Sequence, residues 1–278
     1  MTDPFRLDGK KALVTGGTKG IGLAIARLFR ERGADVVVCG RNEESGSAVA
    51  ARHHLVFQRA DVTDEDDVRM LVSRCESSHG GIDVLVNNAG PTDLLHTRDV
   101  DGPIGEVGAE AWRRLLDRTL TCSYLVTHHA MDALVRSGSG SVVNISSIAA
   151  AQAMPGFDVY AAGKAGLEAM TRSVAIGYAH LGVRCNAIRV GTIAVDHGDN
   201  NRRLLPSADT APDAWRRAVP PPAGMAEDVA NAALFLAAPA GSYVTGVVLP
   251  VDGGLGARSL MPWQTPRPER RGEVATEA

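Results

Sequence analysis

The sequence predicts an α/β fold: one doubly wound parallel sheet of seven strands with helices on both faces. Short segments rich in Val, Ile and Leu alternate with longer segments in which apolar residues recur with the helical period. Strands that are apolar at every position are buried on both faces, which requires covering helices. A glycine-rich turn also joins the first strand to the first helix.

The first unit consists of a strand at residues 11–15, the glycine-rich turn and a helix that begins near residue 20. The remaining predicted strands are residues 35–39, 55–60, 83–86, 141–145, 183–190 and 247–249. The remaining predicted helices are residues 43–52, 63–79, 109–135, 160–180 and 227–236. The helix at residues 63–79 is predicted to begin with Thr63 as its cap, with acidic residues behind it.

The composition predicts a single domain. The chain has 278 residues, 45% of them hydrophobic, and no change in composition divides it. We expect one dinucleotide-binding domain over residues 1–256. Within it, residues 192–222 are polar and contain prolines, which is typical of a lid over an active site. Residues 257–278 carry several prolines and arginines, and are predicted to form a disordered tail.

Charge and composition argue against several classes of partner. A net charge of −3 gives no basic surface for nucleic acid or anionic membranes. No segment approaches the roughly 20 apolar residues of a membrane span, and the polar N-terminal stretch has no signal-peptide core. The four widely spaced cysteines predict free thiols and hence a cytoplasmic protein. Neighbouring histidines at 53–54 and 128–129 do not share a helix face, so no metal site is predicted.

The turn after the first strand reads TGGTKGIG at residues 15–22. Glycines let the backbone approach a pyrophosphate closely, and the following helix offers the anion free N–H groups and the positive end of its dipole. A position between a strand and a helix is that of a dinucleotide-binding turn in a Rossmann fold. The predicted cofactor-binding residues of the turn are Gly16, Thr18, Lys19, Gly20, Ile21 and Gly22.

The residue after the second strand favours NADP(H) as the cofactor. An NAD site has an acid about 20 residues after the glycines, whereas a basic residue accommodates the 2′-phosphate of NADP. Here Arg41 follows the strand, its tip carries no acid, and Lys19 supplies a second cation. Either residue alone could be an ordinary solvated charge. Together they predict NADP(H).

A serine, a tyrosine and a lysine form the candidate catalytic group. Ser147 lies at the end of a buried strand, and Tyr160 and Lys164 follow on a predicted helix, where residues four apart share one face. The ends of parallel strands are where such folds bind ligands. A phenol has an unperturbed pKa of about 10, and a nearby ammonium favours its phenolate. The alternative is an ordinary helix with a packed Tyr and an exposed Lys.

These motifs, with NNAG at residues 87–90 and VDGG at residues 251–254, make residues 8–256 resemble the short-chain dehydrogenase/reductase family. The resemblance implies that Tyr160 is the general acid/base and that Ser147 orients and polarises the carbonyl. Lys164 would hold the nicotinamide ribose and lower the pKa of Tyr160, and Asn87 would support the sheet. The further cofactor contacts that the resemblance implies are Asp61, Val62, Asn88, Ala89, Gly90, Tyr160, Lys164, Gly191 and Ile193.

Three residues depart from the family's pattern. Thr119 stands where a catalytic Asn is usual, at a position that helps to hold a water linked to Lys164, partly through a backbone carbonyl that Thr keeps. Its hydroxyl can bond back along the helix. Val190 and Val195 replace a usual Pro and Thr near the nicotinamide, where Ile193 can still contact the amide through its backbone. We therefore expect a modified proton relay in an active enzyme.

The resemblance implies an NADPH-dependent reductase that converts a carbonyl to a secondary alcohol. The substrate class would be similar to that of 3-oxoacyl-acyl-carrier-protein reductases and the ketoreductases of secondary metabolism. Two alternatives stay open: a secondary-alcohol or sugar dehydrogenase that works oxidatively, and a dinucleotide sensor without catalysis, which only Thr119 and Val190 favour. In relatives the long helix at residues 109–135 packs against its copy, so a homodimer or homotetramer is expected.

Overall fold

The computed structural model describes residues 3–91, 101–194 and 223–257, and elements are numbered along these residues. The strands are β1 (Lys11–Thr15), β2 (Asp35–Gly40), β3 (Val56–Arg59), β4 (Val84–Asn87), β5 (Ser141–Ser147), β6 (Arg184–Val190), β7 (Ile193–Ala194), β8 (Gly224–Met225) and β9 (Val248–Val251). The α-helices are α1 (Gly20–Glu31), α2 (Glu43–His53), α3 (Glu65–His79), α4 (Ala109–Leu116), α5 (Cys122–Arg136), α6 (Asp158–Tyr178) and α7 (Ala226–Ala237).

Seven parallel strands form the main sheet in the order β3-β2-β1-β4-β5-β6-β9, which confirms the predicted fold class. The chain builds from β1 toward one edge and then, from β4 onward, toward the other. The strand order therefore reverses between β1 and β4. Ligands of doubly wound sheets bind outside the carboxyl ends of the strands at such a point.

Helices bury both faces of this sheet. On one face, Ile25 and Phe29 of α1 and Leu236 of α7 pack in one apolar cluster with β-strand residues. On the other face, Leu71 of α3 and Leu134 of α5 pack in a second cluster. All five side chains are under 4% exposed. This covering explains why apolar residues dominate the strands, which was the pattern that predicted them.

The predicted cap of α3 is wrong by one residue. The helix begins at Glu65, and the side chain of Asp64 accepts hydrogen bonds from the amides of Asp66 and Asp67. Thr63 lies one residue before this cap, and both its amide and its hydroxyl donate to Asp61 Oδ1. Thr and Asp are both common capping residues, so the residue type alone does not choose between these neighbours.

The long central helix is interrupted by a π-helical turn at Asp117–Thr121, between α4 and α5. The sequence predicted one uninterrupted helix at residues 109–135. A π turn inserts one extra residue per turn, and such insertions occur frequently at functional sites. Within this turn the hydroxyl of Thr119 donates to the Leu115 carbonyl at 2.7 Å, as expected for a Thr that bonds back along its helix.

A separate two-stranded parallel ladder, β7 with β8, was not predicted, since each strand has only two residues. It brings Ile193 beside Gly224. Most of the predicted lid, residues 195–222 with Val195, lies outside the described residues, as do residues 258–278 of the predicted tail.

The four cysteines are free, as predicted, and the structure buries all of them. None of the helices that the structure describes is long and apolar enough to cross a membrane. Within the same residues, no three His, Cys, Asp or Glu side chains are grouped to hold a metal ion.

Candidate active site

The glycine turn between β1 and α1 needs glycine at defined positions. Gly16 and Gly20 have φ of +62° and +53°, which other residue types rarely adopt. A side chain at Gly22 would collide with the backbone of Gly16 and with the amide of Asn88. No described side chain caps the first N–H groups of α1, which follow Lys19. The turn therefore leaves a space beside free N–H donors, which suits an anion.

The loop after β4 is bonded to this turn. The Thr15 hydroxyl accepts hydrogen bonds from the amides of Asn88 and Ala89, both at 3.0 Å, and donates to the Val86 carbonyl. The Asn88 side chain in turn donates to the carbonyls of Thr15 and Gly16. These bonds hold the two loops at the switch point of the sheet together.

A cavity lies between these loops and the ends of β2 and β3. It collects more than half of the predicted cofactor-binding residues: Gly16, Thr18, Lys19, Arg41, Asp61, Val62, Asn88, Ala89 and Gly90. Six further lining residues were not predicted, namely Cys39, Gly40, Ala60, Thr63, Arg118 and Cys122. The other seven predicted residues do not line this cavity. Three of them belong to the first turn of α1, namely Gly20, Ile21 and Gly22. The remaining four are Tyr160, Lys164, Gly191 and Ile193.

Three cations, Lys19, Arg41 and Arg118, line the cavity. Burial would raise the pKa of Asp61. However, hydrogen bonds from Thr63 and the charges of Arg41 and Arg118 together hold that pKa below its usual value. Both arginines therefore act electrostatically on the same part of the cavity. Arg118 belongs to the π turn, and no sequence pattern pointed to it.

Asn87 lies behind the cavity and joins two strands. Its amide donates to Asn144 Oδ1 at 2.8 Å and to the Thr127 hydroxyl at 2.9 Å. Asn144 on β5 donates in turn to Thr171 on α6. All four side chains are under 5% exposed. A buried polar chain of this kind supports the sheet, which is the role that the resemblance implied for Asn87.

Ser147, Tyr160 and Lys164 lie at the same edge of the sheet. Ser147 is the last residue of β5, and Tyr160 and Lys164 belong to the first two turns of α6. The Lys164 ammonium lies 5.8 Å from the centre of the Tyr160 ring. It donates to the Ile145 carbonyl at 2.7 Å and is 6% exposed. The structure thus pairs the phenol with a buried positive charge.

Lys164 also adjoins the cavity. A side chain added at Gly90 would meet Lys164 Nζ at 3.9 Å, and Gly90 is a lining residue. The thiol of Cys122, another lining residue, is close enough for the charge of Lys164 to act on it, although burial raises the pKa of that thiol overall. The candidate proton donor and the candidate cofactor cavity are therefore neighbours.

The start of α6 is capped from a distance. Asp101 accepts hydrogen bonds from the amides of Val159 (3.0 Å) and Tyr160 (2.9 Å), and its carboxylate is buried. Asp158, in the first turn, accepts from the Ile104 amide at 2.9 Å. No sequence pattern identifies Asp101 as a cap, because it lies 58 and 59 residues from its partners.

Thr119 packs against the helix that carries the candidate catalytic pair. It is 1% exposed, and a side chain added at Gly163 would stand 2.8 Å from its Cβ. Gly163 directly precedes Lys164. A residue without a side chain thus allows the π turn and α6 to approach each other beside Lys164.

Gly191, directly after β6, packs against the carboxyl end of β9. The Gly191 amide donates to the Val251 carbonyl at 3.0 Å, and a side chain at Gly191 would come within 2.6 Å of Asp252 Cα. Val190 remains in β6, opposite Ser147 and Val251. The strand ends that carry Ser147 and Gly191 are therefore adjacent.

The geometry is that of the dinucleotide-binding class of doubly wound folds: a cavity at the switch point of a parallel sheet, with a Tyr–Lys pair beside it. A family model described as Enoyl-(Acyl carrier protein) reductase matches residues 16–256. The chain belongs to the short-chain dehydrogenase/reductase family, whose members are oxidoreductases that use a nicotinamide dinucleotide.

Individual relatives agree with this assignment. The chain is 37% identical to the 3-oxoacyl-[acyl-carrier-protein] reductase FabG of Chlamydia pneumoniae over 255 aligned residues. The alignment covers 90% of this chain and 98% of the relative. The chain is 40% identical over 249 residues to the cis-4-hydroxycyclohexanecarboxylate dehydrogenase of Sinomonas cyclohexanicum, covering 87% and 95%. The structure of a short-chain type dehydrogenase/reductase from Mycobacterium ulcerans matches with a TM-score of 0.82 at 33% identity, covering 91% and 92%.

Proposed function

We propose that this enzyme uses NADPH to reduce a ketone, of the 3-oxoacyl or secondary-metabolite type, to a secondary alcohol. The observation that carries the proposal is the Lys164 ammonium, held 5.8 Å from the Tyr160 ring at the edge of a cavity lined by cations. Similarity to a 3-oxoacyl-[acyl-carrier-protein] reductase supports the substrate class.

The residues around the cavity fit the cofactor. A side chain would fill the space at Gly16 and at Gly22, and the first N–H groups of α1 would bind the pyrophosphate. Lys19 and Arg41 would hold the 2′-phosphate, which favours NADP(H) over NAD(H). When bound, the cofactor supplies the hydride from its nicotinamide ring.

The proton of the reaction would come from Tyr160, whose hydroxyl donates to the carbonyl oxygen as it gains negative charge. The positive charge of Lys164 stabilises the phenolate that remains. Ser147 Oγ accepts a hydrogen bond from the Ala149 amide at 3.2 Å through a lone pair. Its hydroxyl hydrogen is therefore available to a substrate carbonyl, which it would orient and polarise.

The organisation of the chain is part of the proposal. Residues 1–256 would form one domain in which residues 192–222 close over the substrate, and residues 257–278 would be a tail. Homodimers or homotetramers would form through the long central helix. Light scattering after size-exclusion chromatography measures the mass of the particle, and a monomer would contradict the oligomer.

A second candidate is oxidation of a secondary alcohol by the same residues in reverse. The observation that favours it is the 40% identity to a cis-4-hydroxycyclohexanecarboxylate dehydrogenase. In that direction Tyr160 would act as the base and Lys164 would again stabilise its phenolate.

One experiment compares both directions. NADPH absorbance is followed with a panel of β-ketoacyl thioesters, cyclic ketones, quinones and sugars, and NADP⁺ and NAD⁺ are offered with the matching alcohols. We expect the highest kcat/KM for a ketone with NADPH. Higher kcat/KM for an alcohol with NAD⁺ would support the second candidate instead. Tight NADPH binding without turnover on the whole panel would contradict both candidates and indicate a sensor.

A further inference from the structure

A buried carboxylate beside the candidate active site has no place in the chemistry described above. Glu168 on α6 is 4% exposed. Its Oε1 accepts hydrogen bonds from Ser146 Oγ and from Arg189 Nε, both at 2.9 Å, and its Oε2 accepts from Arg189 Nη2 at 2.6 Å. The carboxylate and the guanidinium thus form a bidentate pair, which holds both planes in one orientation.

The three partners of this network are neighbours of the candidate catalytic groups. Ser146 directly precedes Ser147, and Arg189 is the cross-strand partner of Ser146 on β6, two residues before Gly191. Glu168 lies one helical turn after Lys164 on α6. One carboxylate therefore connects the end of β5, the end of β6 and the helix that carries the Tyr–Lys pair.

The pair does more than neutralise charge. The Arg189 guanidinium is charged at any ordinary pH, and its hydrogen bond to Glu168 raises its pKa further. The Arg189 side chain is partly exposed, whereas the Glu168 side chain is buried. Well-packed apolar side chains can often replace a buried ion pair at no cost in stability. Fold stability alone thus does not require a charged, directional contact at this point.

We propose that Glu168, Arg189 and Ser146 form a positioning network that sets the place of Ser147 and of the Gly191 segment relative to Tyr160 and Lys164. The inference rests on the proposed function. The network joins the strand ends to α6, and each of its residues lies within four residues along the chain of one that would touch substrate or cofactor. A displacement of about 1 Å among reacting groups can cost about 100-fold in rate, so such a network affects kcat without touching the substrate.

The decisive variant is the double substitution Glu168→Leu with Arg189→Leu. Each single substitution leaves one buried charge or its partner unpaired, so we expect both to lower Tm. The double variant removes both charges, and its Tm should return toward that of the wild type. Its kcat should nevertheless be about 10- to 100-fold lower, as expected for misplaced reacting groups. NADPH affinity, measured by fluorescence, should change less than threefold.

A matched control is the exposed pair of Arg30 and Asp35, whose Nη1 and Oδ1 are 2.9 Å apart at the opposite edge of the sheet. The double variant Arg30→Leu with Asp35→Leu should keep kcat within twofold. If the Glu168/Arg189 double variant also recovers Tm and keeps kcat within twofold, the network only stabilises the fold and the proposal is overturned.

A second variant covers the case in which the double variant does not fold. Ser146→Ala removes one hydrogen bond to the carboxylate and leaves the ion pair. We expect a kcat reduced severalfold with KM nearly unchanged, and unchanged kcat would contradict the network.

Hydrogen exchange separates this proposal from the proposed function, because it needs no turnover. Amides at residues 146–149 and 190–191 should exchange faster in the Ser146→Ala variant and in the Glu168/Arg189 double variant than in the Arg30/Asp35 control variant. Unchanged exchange there would overturn the network even in an active enzyme. A wild type with no activity on the panel, but with faster exchange in the variants, would contradict only the proposed function.

Discussion

The backbone amide of Tyr160 donates a 2.9 Å hydrogen bond to the buried carboxylate of Asp101. A helix cap normally stands directly before the helix, but here it comes from the connection between β4 and α4. The orientation of the first turn of α6, and with it the Tyr160 side chain, thus depends on a residue far away in sequence.

Replacing Asp101 by Ala should therefore lower both stability and rate. Loss of a helix cap costs about 1 kcal/mol, which urea unfolding measures. We expect kcat to fall about tenfold as well, because the turn that holds Tyr160 loosens. Asp64→Ala is the matched control, since Asp64 also caps a helix through two amides. It should cost similar stability with kcat unchanged, and equal kcat losses in both variants would refute a specific role for Asp101.

Replacing Tyr160 by Phe removes the proposed proton donor and little else. Positioned acid catalysis contributes about 100- to 10,000-fold, so kcat should fall within or beyond that range. NADPH affinity, measured by fluorescence titration, should stay within twofold. Full activity of this variant would rule out Tyr160 as the acid.

Replacing Arg41 by Ala tests the proposed choice of cofactor. A hydrogen bond to a charged group is worth about 1.5–3 kcal/mol, so kcat/KM with NADPH should fall about 10- to 100-fold. The value with NADH should change less than threefold, because NADH has no 2′-phosphate. Arg74→Ala, which removes an exposed charge on α3, is the control and should change neither value. Equal losses with both cofactors would argue against a 2′-phosphate contact.

Gly163 and Thr119 approach so closely that a side chain added at Gly163 should clash with Thr119. Gly163→Ala should destabilise the fold by about 1–3 kcal/mol, as is usual for overpacking. Adding Thr119→Ala removes the Thr119 hydroxyl, the atom nearest to the new methyl group, and should restore part of the Tm, although Cβ of residue 119 stays 2.8 Å away. Gly177→Ala, on the same helix with open space around it, should instead be neutral or stabilising. A Gly163→Ala variant as stable as the wild type would show that the contact is looser than described.

Three thiols should resist alkylation in the folded protein. Burial raises the pKa of Cys39, Cys75 and Cys185 to about 12, so almost none of each is thiolate at pH 8. Iodoacetamide at pH 8, followed by mass spectrometry, should leave all three unmodified within an hour. All should react in guanidinium chloride, and fast modification without denaturant would contradict the burial.

Patterns local in sequence predicted the fold well. The seven strands follow from apolar segments, since burial on both faces of the sheet favours apolar residues on both sides of a strand. The π turn was missed because the apolar pattern continues through it, and only the hydrogen bonds reveal the extra residue. Thr63 and Asp64 are both residue types that cap helices, and only the folded backbone shows that α3 begins after Asp64.

The residues that line the cavity could be found from local motifs, whereas residues paired across the chain could not. Gly16, Thr18, Lys19 and Arg41 follow from the glycine turn and the second strand, and five further lining residues were implied by the family resemblance. Asp101, Arg118 and Glu168 look like ordinary surface charges in the sequence, because charged residues are mostly exposed. Their roles depend on partners or cavities that only the folded chain brings together.

The π turn at Asp117–Thr121 places consecutive residues in different environments: Arg118 lines the cationic cavity, and Thr119 packs on Gly163. Removing the extra residue would restore an α-helix and would rotate the residues on one side of the deletion by about 100° relative to those on the other side. A one-residue deletion here would therefore disturb the cavity and the contact to α6 at once. The contributions of Arg118 and Thr119 are therefore better separated by single substitutions, because a change of length alters both contacts together.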